Sequence, residues 1–426
     1  MTFDKAAASF WAALTGKDYV EPANPNMHML LVDGQSLSLG FNGTWTERND
    51  LNRAGNGVWM LAGMQRSDNA ESTIQGPQTF SYNEAVSATG VKYAYTGGNL
   101  PMCFHIATAL RMRREKMGLP NPQILTTAHG VSGQAITEFD DDSPSVTGSL
   151  GKTIHDNRGF WMEQAVAQLG SPMVVPYAMM IQGEANANDA AGVYRDAAAI
   201  SFSDWLGQIG DITGGIALPV TTQIGSYIDS DVAVKTYNVC IEQVEIVESL
   251  GGLVLAPWYA KITGDNNIHP DATGYLEQAD LLAYYLCEHE AGRTIPPFRP
   301  LSQTLIGNQI VLDMNLRAGE TLDFDTSGKY DPYGGHCPDN GFQVTGAVIT
   351  ATSISPDGRS VVIDCDAAPT AWDYAMQFGD YTADAVSGKN YGTHRGLLRK
   401  TARVHSVYGD ASDQYQWALS WRGSFV

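Results

Sequence analysis

A serine stands just beyond an apolar run in Met27-His28-Met29-Leu30-Leu31-Val32-Asp33-Gly34-Gln35-Ser36. A hydroxyl held rigidly at the end of a buried strand, and exposed by the turn that follows, is placed to attack an ester carbonyl. Alone, Gly-Gln-Ser is also ordinary turn chemistry. Three further polar blocks follow apolar runs, in the order His129-Gly130-Val131-Ser132-Gly133-Gln134-Ala135-Ile136, Gln182-Gly183-Glu184 and Asp265-Asn266-Asn267-Ile268-His269-Pro270. Ester cleavage by serine needs a nucleophile, a base for its proton, a group that orients the base, and donors for the oxyanion. Ser36 is the candidate nucleophile and His269, in a His-Pro pair ahead of a predicted helix, the candidate base.

The four blocks in this order resemble the SGNH (GDSL-like) hydrolases, and within them the sialate O-acetylesterase and acetylxylan esterase-like branch, whose first block reads Gly-Gln-Ser and third Gln-Gly-Glu. The resemblance runs over roughly residues 27–292. It implies an oxyanion hole built from the backbone N–H groups of Ser36 and Gly133 and the side-chain amide of Gln182, with Gln35 and Gln134 beside the substrate. It also implies a carbohydrate O-acetylesterase that works through an acetyl-Ser36 intermediate and needs no cofactor or metal. The chain departs from the family at the orienting acid: three residues before His269, where the family has Asp, stands Asn266, and Asp265 lies four before. Asp265 by a loop adjustment, Asn266 through its amide oxygen, or Glu184 from across the site can serve. Converting the orienting Asp to Asn costs a Ser-His-Asp enzyme about 10⁴ in turnover. A carboxylate is therefore expected, Asp265 before Glu184.

The elements that must position these groups follow from the periodicity. Apolar runs at 27–33, 124–128, 173–181, 217–224 and 253–259 alternate with helical patterns at 104–117, 160–169, 188–209, 232–250 and 275–289. Five strand–helix repeats predict an α/β fold, a three-layer flavodoxin-like parallel sheet, and fall short of the eight units of a TIM barrel. The stretch 41–100 breaks the alternation as an aromatic-containing insertion next to the nucleophile strand, where rings can stack on sugars or form a small core of their own. After Pro296-Pro297 strand-like runs at 309–314, 321–324, 342–350, 360–364 and 372–378 predict a β-sandwich-like domain. The expected organisation is an N-terminal extension over 1–26, a catalytic domain over 27–295 and a β-rich accessory domain over 296–426.

Composition narrows the partners. The 426 residues include 46 Asp and Glu against 26 Lys and Arg, a net charge of −20 that repels phosphate backbones and anionic membranes. No run of eighteen apolar residues predicts a membrane span. Residues 1–15 make a poor secretory signal, and an extracellular or virion-associated setting is the expectation from the acidic composition. The 5 cysteines have no CxxC spacing, which argues against zinc; a Cys337–Cys365 bridge in the C-terminal part is compatible with the sequence. Cys287-Glu288-His289-Glu290 imitates a metal site but falls on a predicted helix, where neighbours diverge. Arg111, Arg113, Arg114 and Lys116 read as the solvated face of the helix at 104–117. Two other readings of the whole remain: a glycan-binding or virion-type adhesin on a weakened hydrolase fold, and an esterase for other short-chain esters.

Overall fold

The computed structural model describes residues 27–34, 38, 58–61, 82–84, 102–130, 134–139, 150–169, 174–186, 189–224, 238–259, 270, 272–326, 338–375, 382–383, 390–391, 396–408 and 414–425. The first part of the chain runs β1 (Met27–Gly34), β2 (Val58–Leu61), β3 (Tyr82–Glu84), α1 (Met102–Met117), β4 (Gln123–Gly130) and α2 (Leu150–Leu169). It continues through β5 (Val174–Ile181), α3 (Val193–Thr213), β6 (Leu218–Thr221), α4 (Asn238–Ser249), β7 (Leu253–Val254) and α5 (Ala272–Glu290). These strands form one seven-stranded sheet in the order β3-β2-β4-β1-β5-β6-β7. Every pairing is parallel except β2 with β3.

Alternation along β1 and β5 builds the three layers. Leu30 and Val32, with Tyr177 and Met179, face a core shared with Ile106 and Leu110 of α1 and Leu282 and Leu286 of α5. Met29 and Leu31, with Ala178 and Met180, face the other core with Met162 of α2, Phe202 and Trp205 of α3 and Val244 of α4. Successive side chains of a strand point to opposite faces, so a sheet covered on both sides must be apolar at every position. The expected repeats are all present. The insertion is different in kind from a loop, because its β2 and β3 extend the sheet beyond β4.

Two of the four basic residues of α1 correct the expectation of a solvated face, while Lys116 is exposed as expected. Arg113 and Arg114 are buried, because α1 packs against α5 rather than lying at the surface. Arg114 donates to both carboxylate oxygens of Glu290, at 2.8 and 2.5 Å, and the Tyr177 hydroxyl donates to the same carboxylate at 2.8 Å. Arg113 reaches Asp280 at 2.7 Å. The Cys287–Glu290 cluster is thus charge pairing: Glu288 pairs with Arg293 at 2.6 Å and Arg317 at 2.9 Å. No metal-sized group of ligands occurs among the described residues, and no described helix is long and apolar enough to cross a membrane.

The remainder is antiparallel: β8 (Pro300–Ile306), β9 (Gln309–Met314), β10 (Leu322–Phe324), β11 (Phe342–Thr345), β12 (Ile349–Ile354) and β13 (Ser360–Cys365). Then come β14 (Ala371–Tyr374), β15 (Thr382–Ala383), β16 (Asn390–Tyr391), β17 (Leu398–Val404), β18 (Gln414–Trp417) and β19 (Trp421–Ser424). They form small sheets β12-β13-β9-β8, β11-β14-β19, β10-β17-β18 and β15-β16. Ile310, Leu312, Val361, Ile363, Trp372 and Trp417 fill their common core. The run 342–350 proves to be two strands in different sheets, divided near Gly346, whose φ is 82°. Cys365 is a free buried thiol, and Cys337 lies outside the described residues.

This part is sewn onto the α/β layers. Val404, Val407 and Tyr408 enter the α1–α5 core, and Leu419 enters the opposite one. Gln223 and Ser420 exchange hydrogen bonds of 2.9 and 2.6 Å, and the Tyr259 hydroxyl donates to the Ala418 carbonyl at 2.5 Å.

Candidate active site

Three strand ends meet in register. Gly34 of β1 lies opposite Gly130 of β4 and opposite Ile181 of β5. The chain leaves β1, fills positions on one side of it, then crosses to β5 on the other, so the β1–β5 junction is the topological switch point where open α/β sheets bind ligands. Gly34 is required there. Its φ is +149°, and a Cβ on it would stand 1.9 Å from the Ile181 carbonyl oxygen. The glycine of Gly-Gln-Ser thus lets β1 and β5 approach where β1 ends.

The Gln182-Gly183-Glu184 block continues from β5. Gly183 has φ +145°, and a Cβ there would meet Ile224 at 2.8 Å and the Gln243 side chain at 2.9 Å. Gln182 is fully buried, and its Nε2 donates to the Gln134 carbonyl at 3.0 Å and to Asn186 Oδ1 at 2.8 Å. Asn186 Oδ1 also accepts the Ile136 backbone N–H at 2.8 Å, while its Nδ2 donates to Asp189 at 2.7 Å. The Gln182 carbonyl accepts from Gln243 Nε2 at 2.6 Å and from the Tyr194 hydroxyl at 3.2 Å. One buried network thereby fixes the loops after β4 and β5 relative to each other and to α4.

Burial dominates the electrostatics. Glu184 is buried, and loss of hydration pushes its carboxyl up to about 7. Asp33, the residue before Gly34, is also buried, which raises its carboxyl to about 6 against the pull of Arg158, whose Nη1 sits 2.6 Å from it. Arg158 comes from α2, donates to Gln208 at 2.6 Å and lies 5.1 Å from the Trp205 ring centroid. His129, the register partner of Asp33, is lowered to about 3 by burial and by Arg158, so it is neutral and hydrogen-bonded to Thr127.

No family model matches the chain, and no curated protein does either. Solved structures do. A carbohydrate acetylesterase from Xanthomonas citri superposes with a TM-score of 0.59 at 17% identity, over 93% of this chain and 80% of that one. The likeness is one of fold, an α/β sheet followed by antiparallel sheets. NanS gives a TM-score of 0.41 at 12% identity, and a protein from Arabidopsis thaliana 0.40 at 13%, each over 64% of this chain and 100% of that chain. The Xanthomonas likeness extends over the antiparallel sheets as well as the α/β layers, since it spans 93% of the chain.

Of the sequence-predicted residues, Gln182 and the Gln134 carbonyl meet at the end of β5, and Glu184 follows two residues on. Ser36, Gln35, Gly133, Asp265, Asn266 and His269 lie outside the described residues. Their flanks are anchored: Met102 N donates to the Ser38 carbonyl at 3.0 Å, and Trp258 N to the Gln223 carbonyl at 3.0 Å, near the entry to the His269 loop. Sequence reasoning missed Asp33, Arg158, Asn186 and Gln243. Asn186 carried one local signal, its spacing of four from Gln182.

Proposed function

We propose that the protein is a serine carboxylic ester hydrolase that removes O-acetyl groups from a carbohydrate. The observation that carries this reading is the convergence of three block-bearing strand ends, Gly34, Gly130 and Ile181, at the switch point of the sheet. The likeness in fold to a carbohydrate acetylesterase supports it, and so does the positive-φ glycine in each of Gly-Gln-Ser and Gln-Gly-Glu.

In this mechanism Ser36 Oγ attacks the acetyl carbonyl while His269 takes its proton. The backbone N–H groups of Ser36 and Gly133 and the Gln182 amide hold the oxyanion, and the sugar hydroxyl leaves with the proton from His269. Water, deprotonated by His269, then cleaves acetyl-Ser36 to acetate. Both Nε2 hydrogens of Gln182 already have acceptors, so its share in the oxyanion hole means sharing the longer bond, that to the Gln134 carbonyl at 3.0 Å. Losing one oxyanion donor costs about 10²–10³ in rate. Asp265 orients His269, with Glu184 as the second candidate; its carboxyl, at about 7, ionises most readily when an imidazolium forms nearby.

The test is turnover of p-nitrophenyl acetate, acetylated xylan and O-acetylated sialic acid by wild type and Ser36→Ala. Wild-type turnover lost in Ser36→Ala is the expected result. Asp265→Ala, Asn266→Ala and Glu184→Ala then identify the acid by the deepest loss. A wild type as inert as Ser36→Ala on every ester overturns the reading.

A further inference from the structure

A cleft lies between α4 and the β11-β14-β19 sheet. It encloses about 510 Å³, inside the range of roughly 300–1,000 Å³ typical of small-molecule sites. Strand register explains its shape. Thr345, Ala371 and Ser424 form one cross-strand row, and Asp373 lies opposite Arg422 two residues along, so all five share a face. Trp372 and Trp421 also line the cleft, and Trp372 packs into the apolar core as well. Small residues leave the floor low, and Ile241 and Glu245 of α4 form the facing wall.

Asp373 is the informative residue. It is 8% exposed, and its Oδ1 is buried with no hydrogen-bond partner. Buried polar atoms are nearly always paired, so an unpaired carboxylate oxygen on the wall of a cleft calls for a donor from outside the chain. Burial raises this carboxyl to about 7 despite Arg422 across the strand. Arg422 itself is held by Asn238 Oδ1 at 2.5 Å. The cleft thus offers acceptors from Asp373 and Glu245 and donors from Arg422. An anion meets two carboxylates, an ammonium meets the guanidinium, and two carboxylates fall short of a metal's ligand set. Hydroxyl groups both donate and accept, and match this mixture.

We propose that this cleft binds a sugar unit of the glycan, outside the catalytic centre, with Asp373 and Glu245 accepting from its hydroxyls and Arg422 donating to them. The proposal rests on the reading of the protein as a glycan esterase, but its test is binding rather than turnover. Isothermal titration of Ser36→Ala protein with unacetylated xylo-oligosaccharides, and with glucose and N-acetylglucosamine oligomers, measures it without hydrolysis. Adding Asp373→Ala should weaken binding by roughly tenfold or more, the effect of losing a hydrogen bond to a charged group, and Glu245→Gln by less. In the catalytically intact protein, Asp373→Ala should leave p-nitrophenyl acetate turnover unchanged and raise KM for the acetylated polymer. It should also leave the thermal midpoint unchanged or higher, because no partner is lost. Binding that is indifferent to Asp373→Ala overturns the proposal, as does ethylenediammonium binding there in place of sugars. Absence of binding by any oligosaccharide, alongside Ser36-dependent ester turnover, overturns it while leaving the esterase reading intact.

Discussion

Arg158→Met tests how the end of β1 is held. Asp33 is 1% exposed, and Arg158 is the cation beside it; His129, also facing it, is neutral. Removing one partner of a buried ion pair typically costs about 3–5 kcal/mol, because the other charge stays uncompensated. Methionine keeps an apolar stem against Trp205, so the loss isolates the charge and the bond to Gln208. The pH dependence gives the test its sign. The Asp33 carboxyl is raised from 3.8 to about 6, so the folded state binds the proton more tightly than the unfolded chain. That contribution, on the order of 3 kcal/mol, is fully present below 3.8 and is lost as pH rises through about 6. Without Arg158 the carboxyl rises further, and the loss extends to higher pH. The penalty of Arg158→Met should therefore be larger at pH 8 than at pH 5, where Asp33 takes up a proton. Urea unfolding followed by tryptophan fluorescence measures both. Arg158→Met/Asp33→Asn should recover most of the loss at pH 8. A penalty equal at both pH values, or a double variant no better than the single, would refute the assignment of the cost to an unpaired Asp33.

Two further substitutions probe the Gln-Gly-Glu block. Gly183→Ala forces a side chain into φ +145° and against Ile224 and Gln243, and should cost at least about 2 kcal/mol, read as a fall in the thermal midpoint together with esterase activity. Asn186→Ala leaves the Ile136 N–H and one Gln182 hydrogen without an acceptor, at about 1–3 kcal/mol each. Asn186→Asp restores the acceptor but sets a carboxylate against Asp189, so thermal melts at pH 5 and pH 8 should show its deficit growing with pH.

The layers were legible because strands of a parallel sheet covered on both faces are mostly apolar throughout, as 173–181 is. Boundaries were less so: the helix read from 160 begins at Leu150, and the one read from 188 begins at Val193. Local chemistry was legible where one residue's backbone decides it, as at Gly34 and Gly183. Pairing across the fold was not. Arg114 finds Glu290 176 positions away, and Arg158 finds Asp33 125 positions away; a helix with charge on its far side looks solvated until its neighbour is known. The strands Val58–Leu61 and Tyr82–Glu84 escaped for a related reason, being too short to show a period and defined by the strand they join.

The same long-range pairing makes the antiparallel sheets part of the candidate site's frame. Gln223, just past β6, donates to the Cys240 carbonyl in the first turn of α4 and to the Ser420 carbonyl, each at 2.9 Å, and accepts the Ser420 N–H at 2.6 Å. One turn along α4, Gln243 donates to the Gln182 carbonyl at 2.6 Å and accepts the Ile224 N–H at 3.0 Å. A continuous buried path therefore runs from Ser420 through Gln223 and α4 to the residue proposed for the oxyanion. Buried amides with two or more partners hold orientation because losing any one leaves a desolvated polar group behind. Residues 414–425 thus act on the β5 loop although more than half the chain separates them. Through Arg422 and Asn238, the cleft beside Asp373 touches the same helix that positions Gln182.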